Sequence, residues 1–566
     1  MKFSKLLIFS NILVSAYSSP LIFDTSKLSF LNNNNDNQFS QFFSKFLNLY
    51  SSPESESGSE LKSKSKSDDL KHSSSETFDD WLNLQENIAF KSILNNIGGF
   101  NGGNGLNPVI SKGAVIASPT TERPNYFYQW TRDAAITMNS LIEYLDDNEF
   151  NDYENFNLVE LIESYIFNNY NLQRLDNRSG KFENLDGLGE PKFQVDGKPY
   201  NENWGRPQRD GPALRSITII NYLNLLKKYN SNLKDIENLK NFKFIINEVI
   251  KPDLNYTILN WNKNGFDVWE EVDSMHLFTS LVQLKSIKLG IELFQDENYK
   301  NDNEIYDEEL YSSLLKTFNN LRYFILIESG YKNPNLPYLL ETPSLVTSSK
   351  RVGLDIATVI GVLRSHDIDN MYDQIDIPFS IDDGSVLNTL TGLINDMKYR
   401  YPINHHRLGF GFNTGFGLGR YPEDTYDGVT MSEGNPWFIS TATASELLYK
   451  IIYKLYKYEK DLIIPNGFEI SGLIIENDSI DNDAIIFNYN SYEYNQTSIS
   501  LINYADSFLD VIREHVDLQG HMSEQFNKYS GYMEGAEDLT WSYGAFWSSI
   551  RWRNKVLKLK NERENN

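Results

Sequence analysis

The stretch GFDVWEEV, Gly265 to Val272, places an indole and two adjacent carboxylates just before a long apolar run, Met275 to Phe294. The run is apolar almost all round, which predicts a helix covered on every side. A site that cleaves an acetal bond needs one carboxylic acid held protonated near neutral pH, which burial or a neighbouring negative charge achieves by raising its pKa. Because Trp269, Glu270 and Glu271 offer both conditions, the loop is a candidate catalytic centre.

Apolar residues recur at helical spacing along most of the chain. Leu214 to Leu226 is also apolar nearly all round, whereas Ala134, Met138 and Leu141 lie on one face of a predicted helix. Strands do not alternate with these helices, so we predict an all-α protein, and an inner ring of buried helices inside an outer ring would explain both kinds. The predicted helices are 78–98, 134–145, 158–168, 214–226, 277–294, 306–327, 352–363, 444–455, 501–515 and 538–551.

Composition narrows the class of partner. The chain has 566 residues, no cysteine and a formal charge of −25, which disfavours nucleic acid and anionic membranes but leaves neutral substrates open. No later stretch reaches the roughly 18 uninterrupted apolar residues of a spanning helix, so we expect no membrane span. The pair His405-His406 and the acidic run 296–309 lack the spacing of metal ligands, so we expect neither a metal nor another cofactor.

The N-terminal region differs from the rest of the chain. Residues 1–18 combine early lysines, an apolar run and small residues, which predicts a signal peptide, and residues 19–76 form a Ser/Asn-rich spacer with too few apolar residues to fold. We expect a catalytic domain over 77–558, a charged tail over 559–566 and an extracellular destination, with the cell wall or a vacuole as alternatives. Sequons that agree with this route occur at Asn177, Asn255, Asn477 and Asn495.

Three loops before predicted helices share one pattern. Tyr126–Asp133, Asn203–Pro212 and Gly419–Trp437 each combine aromatic rings, arginine and a carboxylate, so charged hydrogen bonds can converge on one point. Sugar rings stack on indole and phenol, and their hydroxyls need donors and acceptors. A capped helix with a surface ion pair explains any single loop equally well, but three such loops favour a sugar site.

A fourth loop, Gly520 to Phe526, completes a set of motifs that resembles the fungal glucoamylases of glycoside hydrolase family 15. The matching stretches occur in the family's order: Trp81–Gly98, Val115–Asp133, Trp204–Arg215, Asp267–Val272, Arg420–Trp437 and Ser523–Ser542. The resemblance implies an (α/α)6 barrel with long active-site loops. It also implies an inverting exo-hydrolase that releases β-glucose from the non-reducing ends of α-1,4-glucans and cleaves α-1,6 links more slowly.

The resemblance also assigns roles to residues of this chain. It makes Glu270 the general acid and Glu524 the general base, and we expect Glu270 to be the more buried of the two while Glu524 stays ionised. The residues implied to bind substrate are Tyr126, Trp130, Arg132, Asp133, Trp204, Val268, Trp269, Glu271, Arg420, Asp424 and Trp437.

Two other functions stay open at this point. One is a related hydrolase of another α-glucoside, such as a trehalase. The other is a non-catalytic carbohydrate-binding protein that keeps the pocket, although the presence of both carboxylates argues against it. The partner expected in each case is an oligosaccharide or polysaccharide, and we expect the protein to be a monomer.

Overall fold

The computed structural model describes residues 77–100, 110–151, 157–370, 373–410, 413–465 and 484–565. Within these ranges twelve helices have ten or more residues. They are α1 (Phe78–Asn95), α2 (Thr131–Asp147), α3 (Leu158–Gln173), α4 (Gly211–Lys228), α5 (Lys251–Asn260), α6 (Leu277–Gln295), α7 (Glu308–Tyr323), α8 (Ile356–Ser365), α9 (Gly384–Arg400), α10 (Phe438–Lys457), α11 (Tyr492–His515) and α12 (Thr540–Glu564). Shorter helical segments are Asp186–Gly189, Ile236–Leu239, Phe242–Ile245, Ile246–Ile250, Glu297–Lys300, Phe324–Glu328, Pro343–Thr347, Asp373–Asp376 and Pro402–Gly409.

The even-numbered helices form a closed ring, in which α2, α4, α6, α8, α10 and α12 pack in that order and α12 returns to α2. Each odd-numbered helix packs on one member of the ring: α1 on α12, α3 on α2, α5 on α4, α7 on α6, α9 on α8 and α11 on α10. Six inner helices within six outer helices make an (α/α)6 barrel. The predicted fold class and the two rings are therefore confirmed. The segment with Ala134, Met138 and Leu141 on one face is nevertheless the inner helix α2, so the expectation that one-faced helices belong to the outer ring was wrong there.

The share of buried residues distinguishes the helices of the inner ring from those of the outer ring. Every residue of α10 from Phe438 to Tyr456 is buried. In the outer helix α7, by contrast, only Leu310, Leu314, Thr317 and Leu321 are buried, and their spacing of three or four places them on one stripe. A helix in the inner ring is covered by neighbours on all sides, so its apolar residues need no preferred face.

Several predicted boundaries were wrong, and two helices were missed. The helix predicted from Val352 begins at Ile356, where the Asp355 side chain accepts a hydrogen bond from the Ala357 amide and caps the first turn. Helix α11 begins nine residues before the predicted Leu501. Helices α5 and α9 were not predicted, because polar residues interrupt their apolar stripes. Helix α12 continues through the residues assigned to a charged tail and ends at Glu564.

In the part of the chain that the structure describes, four two-stranded antiparallel ribbons lie in the connections. Three of them flank loops singled out in the sequence: β1 (Tyr128–Trp130) pairs with β2 (Lys192–Gln194), β3 (Gly265–Phe266) with β4 (Asp273–Ser274), and β7 (Gln525–Phe526) with β8 (Met533–Glu534). The fourth pairs β5 (Leu462–Pro465) with β6 (Ala484–Phe487). The first three ribbons fix the ends of loops that precede inner helices, so they orient the side chains of those loops.

The signal peptide, the spacer and the Asn477 sequon lie outside the described residues. Asn255 and Asn495 lie within helices, and the amide of Asn177 donates a hydrogen bond to the Gly187 carbonyl. Among the described helices, none is both long and apolar enough to cross a membrane.

Candidate active site

The loops before the inner helices surround a cavity of about 390 Å³. All but one of the sequence-predicted site residues line it: Tyr126, Trp130, Arg132, Asp133, Trp204, Val268, Trp269, Glu270, Glu271, Arg420, Trp437 and Glu524. The exception is Asp424, which lies behind Arg420 and accepts two hydrogen bonds from its guanidinium at 2.6 and 2.8 Å. Asp424 therefore orients Arg420 from outside the cavity wall.

Glu270 lies in the loop between β3 and β4 and is held by two neutral donors. Its Oε1 accepts hydrogen bonds from Trp130 Nε1 and Gln208 Nε2, both at 2.7 Å, and Arg132 Nη2 lies 3.9 Å away. The backbone of Glu270 has φ of 67°, a left-handed conformation that is uncommon for a residue with a Cβ. Strain of this kind persists where the surroundings fix it, and here it turns the carboxyl into the cavity.

Glu524 precedes β7 and is the more buried carboxylate, the reverse of our expectation. The residue is 1% exposed, whereas the Glu270 side chain is 18% exposed. Burial raises the pKa of Glu524 to about 8, although Tyr126, Arg420 and Tyr426 favour its ionised form. Burial therefore acts against the ionised form that we expected for Glu524, and these three residues act in favour of it.

A glycine makes room for this buried carboxyl. Gly535, in the segment that pairs with the Glu524 strand, has φ of 78°, and a Cβ at that position would collide with the Glu524 carboxyl. Both the backbone conformation and the close approach therefore require glycine.

Glu271, next to Glu270 in the chain, is an anchored anion. Its carboxylate accepts hydrogen bonds from Arg420 Nη2 and Arg351 Nη2, both at 2.8 Å, and from the Tyr421 hydroxyl. Burial acts to raise its pKa, but Arg420, Tyr421 and Arg351 together hold the pKa of Glu271 below its ordinary value. The negative charge of Glu271 is therefore largely balanced by these partners, so it repels the neighbouring Glu270 carboxylate only weakly.

Arg132 and Asp133 form a buried pair at the start of α2. Arg132 Nη1 donates to Gln208 Oε1 at 2.8 Å and to Asp210 Oδ2 at 3.0 Å, so its position is fixed from behind. Arg132 Nε lies 3.4 Å from Asp133 Oδ2. Burial raises the pKa of Asp133 to about 6, while Arg132 acts to lower it.

The aromatic residues pack as a connected wall. The Trp269 ring centroid lies 5.7 Å from that of Trp437 and 6.4 Å from that of Trp541, and Trp269 Nε1 donates to Asp355 Oδ1 at 3.0 Å. The Arg420 guanidinium lies over the rings of Trp269 and Trp437. This wall excludes water on one side and presents charged donors on the other.

Five buried polar atoms of cavity-lining residues have no hydrogen-bond partner among the described residues. They are the donors Arg132 Nε, Trp204 Nε1 and Trp437 Nε1 and the acceptors Asp133 Oδ2 and Glu524 Oε2. A buried polar atom without a partner costs free energy, so such atoms are rare unless a ligand satisfies them. Three donors and two acceptors around one cavity suit a ligand that both donates and accepts, as sugar hydroxyls do.

The sequence did not single out several residues that complete the site. Gln208 and Asp210 lie within a loop that was predicted to matter, and a polar residue just before a helix start was the available signal. Tyr426 lies in another predicted loop and hydrogen bonds with the Tyr126 hydroxyl at 3.1 Å. Asp355 and Arg351 carry no local motif and reach the site only because α8 lies beside α6 in the ring.

An (α/α)6 barrel whose end cavity holds two carboxyl groups and several buried donors and acceptors without partners is the arrangement expected of a glycosidase. Comparison with known proteins narrows the class of this glycosidase further. The model of glycosyl hydrolases family 15 matches residues 91–551. A glucoamylase of Saccharomycopsis fibuligera is 38% identical over 506 residues, covering 86% of this chain and 91% of that protein. An intracellular, sporulation-specific glucoamylase of Saccharomyces cerevisiae is 37% identical, covering 86% of each.

The solved structures agree with these relatives. The glucoamylase structure from Saccharomycopsis fibuligera matches with a TM-score of 0.78 and 36% identity, covering 88% of this chain and 99% of that one. A family 15 glucoamylase from Hypocrea jecorina matches with a TM-score of 0.70 and 29% identity, covering 85% of this chain and 73% of that one. This chain therefore belongs to glycosyl hydrolases family 15, and the resemblance found in the sequence is confirmed.

Proposed function

We propose that this glycosidase is an exo-acting glucan 1,4-α-glucosidase that releases β-D-glucose from the non-reducing ends of starch, glycogen and maltooligosaccharides. Cleavage proceeds with inversion, and α-1,6 links are cleaved more slowly. Membership of family 15 and the glucoamylase names of the relatives support the substrate class. The observation within this chain that carries the proposal is the set of five unpaired polar atoms around the cavity that also holds Glu270 and Glu524.

The two carboxyls have separate tasks in this reaction. Glu270 donates its proton to the glycosidic oxygen as the C–O bond breaks, and the leaving sugar departs with that proton. Glu524 accepts a proton from water as the water oxygen bonds to the anomeric carbon from the opposite face. A water hydrogen bonded to the unpaired Glu524 Oε2 would join Tyr126, Tyr426 and Arg420 in favouring the ionised base.

The remaining cavity residues bind and orient the terminal glucose. Arg132 Nε can donate to a hydroxyl and Asp133 Oδ2 can accept from one, and both are fixed by neighbours before substrate arrives. Arg420 is likewise fixed by Asp424 and Glu271. Groups that are already oriented lose little entropy on binding, so their hydrogen bonds contribute to the transition state.

The N-terminal pattern supports an extracellular destination, with the cell wall or a vacuole as alternatives, and we propose that the protein is a monomer acting on external glucan. One relative in Saccharomyces cerevisiae is named as intracellular, so membership of the family alone does not decide the destination. Immunoblotting of culture medium, cell wall and vacuolar fractions distinguishes the three. Retention in the cytosol would contradict the secretory assignment.

NMR of the first sugar released from maltotriose tests substrate, exo-action and stereochemistry together. We expect β-glucose and maltose as the initial products. Release of α-glucose would contradict inversion. Turnover of trehalose in preference to maltotriose would establish the related α-glucosidase instead, and binding without turnover on any of these sugars would establish a non-catalytic protein.

A further inference from the structure

A buried lysine lies beside the site without a role in the mechanism above. Lys192 belongs to β2 and pairs across the ribbon with Trp130, and it is 1% exposed. Its ammonium lies over four aromatic rings: Nζ is 3.4 Å from the ring centroid of Trp204, 4.3 Å from that of Tyr128, and 4.4 Å from those of Trp130 and Tyr200. These four residues form an aromatic cage around a cation that the chain itself supplies.

The cage is closed by contacts between its own rings. Tyr128 contacts Trp130 and Tyr200, and Trp204 contacts the same two residues, with centroid distances of 5.1 to 6.2 Å and edge-to-face geometry throughout. Edge-to-face packing supports each ring from its neighbour. The ammonium position is therefore fixed relative to Trp130 and Trp204, which both line the catalytic cavity.

Trp130 connects this cage to the proposed general acid. Its indole N–H donates to Glu270 Oε1 at 2.7 Å, while its ring lies against the ammonium. A cation near the π face draws electron density from the indole, which makes the N–H a stronger donor. A stronger donor favours the ionised carboxylate, and the positive charge of Lys192 favours it directly as well.

Lys192 and Glu270 each affect the charge state of the other. Burial lowers the pKa of Lys192 to about 7, Glu270 acts to raise it and Arg206 to lower it. The other groups that face the pair are the phenols of Tyr128 and Tyr200 on the cage side and Arg132, Asp133 and Tyr126 on the cavity side. Arg132 forms an ion pair with Asp210, and Arg206 forms an ion pair with Glu190.

We propose that Lys192 is a positioning residue whose caged ammonium acts through Trp130 to set how readily Glu270 releases its proton to the glycosidic oxygen. The inference rests on the proposed function, because it assigns the role of proton donor to Glu270. The Lys192 side chain also supports Trp130 and Trp204 by packing against them. An uncharged side chain of similar size could provide that support, whereas the effect on proton release requires the positive charge.

The charge is tested by the variant Lys192→Met, with Lys198→Met as the matched control. Lys198 lies just after the same ribbon, and its side chain is 75% exposed, so the control makes the same change outside the cage. For maltotriose, we expect the alkaline limb of the kcat/KM profile in Lys192→Met to move up by about half a pH unit or more, because Glu270 keeps its proton longer. We expect kcat to fall by up to about threefold, since half a pH unit is a factor of about three in acid strength and the rate of proton donation changes by no more than that.

A second substrate separates proton donation from packing. Fluoride leaves α-glucosyl fluoride with little need of a proton donor, so we expect Lys192→Met to lose much less activity on it than on maltotriose. Lys192→Arg keeps the charge and should keep the wild-type limb. Lys192→Gln carries the same test if the methionine variant does not fold.

Two results would overturn the inference about Lys192: an unshifted alkaline limb in an uncharged variant, or equal losses on both substrates. A wild-type protein that fails to hydrolyse maltotriose would instead contradict the proposed function. The two failures are therefore distinguishable in one set of measurements.

Discussion

The two ends of the barrel are built from the same six inner helices but differ in how many buried polar atoms lack a hydrogen-bond partner. At the N-terminal ends, the catalytic cavity of about 390 Å³ contains the five buried polar atoms without partners. Toward the C-terminal ends lies a second cavity of about 310 Å³ lined by many charged residues, most of which form ion pairs. Among the described residues that line it, two buried polar atoms, Arg364 Nε and Trp552 Nε1, lack a hydrogen-bond partner. Examples of these ion pairs are Lys228 with Asp146, Arg364 with Glu446, Lys450 with Glu446 and Lys555 with Asp147.

This difference shows where the fold carries function. Most charged groups at the far end pair with other side chains, which leaves fewer buried polar atoms available to a ligand there. At the catalytic end, partners such as Gln208 and Asp424 fix the cations from behind, while other atoms of the same residues stay available. Substitutions at the two ends should therefore affect different measurements, activity at one and stability at the other.

The largest effect is expected at the two carboxylates. Replacing Glu270 by Gln removes the proton donor, and replacing Glu524 by Gln removes the base, so each should lower kcat on maltotriose by about 10² or more with little change in KM. Glu537→Gln is the matched control, since Glu537 lies on the same C-terminal loop region and is exposed. Full activity in Glu524→Gln together with a loss in Glu537→Gln would reassign the base.

The next largest effect is expected at Asp133. Its Oδ2 is buried, accepts no hydrogen bond and lies 3.4 Å from Arg132 Nε, so it can accept one from a hydroxyl of the terminal sugar. Asp133→Ala should lower kcat/KM by roughly 30-fold to 1000-fold, because a charged hydrogen bond to a buried hydroxyl is lost. Steady-state kinetics on maltotriose measures this loss. A change below about threefold would place Asp133 outside the substrate site.

A smaller effect, seen in the pH profile, is expected at Tyr126. The Tyr126 hydroxyl favours the ionised form of Glu524, so Tyr126→Phe should raise the pKa of Glu524 further above its ordinary value. The base works only when ionised, and therefore the acidic limb of kcat/KM should move to higher pH, by about half a unit or more. The phenylalanine ring retains the packing. A limb that stays in place or moves to lower pH would contradict this role.

The smallest effect on activity is expected at the far end. Asp373 is fully buried and pairs with Lys285 and Lys288 of α6. Asp373→Asn leaves Lys285 without its carboxylate, while Lys288 keeps its ion pair with Glu292, so the free energy of unfolding should fall by about 3 kcal/mol. Below the unfolding temperature, kcat/KM should change by less than about twofold, since no cavity-lining residue moves. Urea denaturation and maltotriose kinetics on one preparation test both parts, and a large kinetic loss would show that the ends are coupled.

The structure also shows which helices and loops could be predicted from the sequence. Buried inner helices such as α4 and α6 were predicted well, because a segment that is apolar all round has few alternatives to an interior position. Helices α5 and α9 were missed, since their polar residues weaken the periodic signal on which the prediction depends. The catalytic loops were found through their clustered rings, arginines and carboxylates, which crowd into short stretches of chain.

The sequence by itself determined the helical class, the loops that carry the site and the pair of candidate carboxylates, because each of these depends on local composition or on motifs in order. Only the tertiary structure decided which carboxylate is the more buried, which cations are matched, and which aromatic rings enclose Lys192. These properties arise between residues far apart in the chain: Trp130 and Glu270 are separated by 140 positions and are joined by one hydrogen bond. Solvation and charge pairing depend on what the closed ring of helices brings together, and no stretch of sequence records that alone.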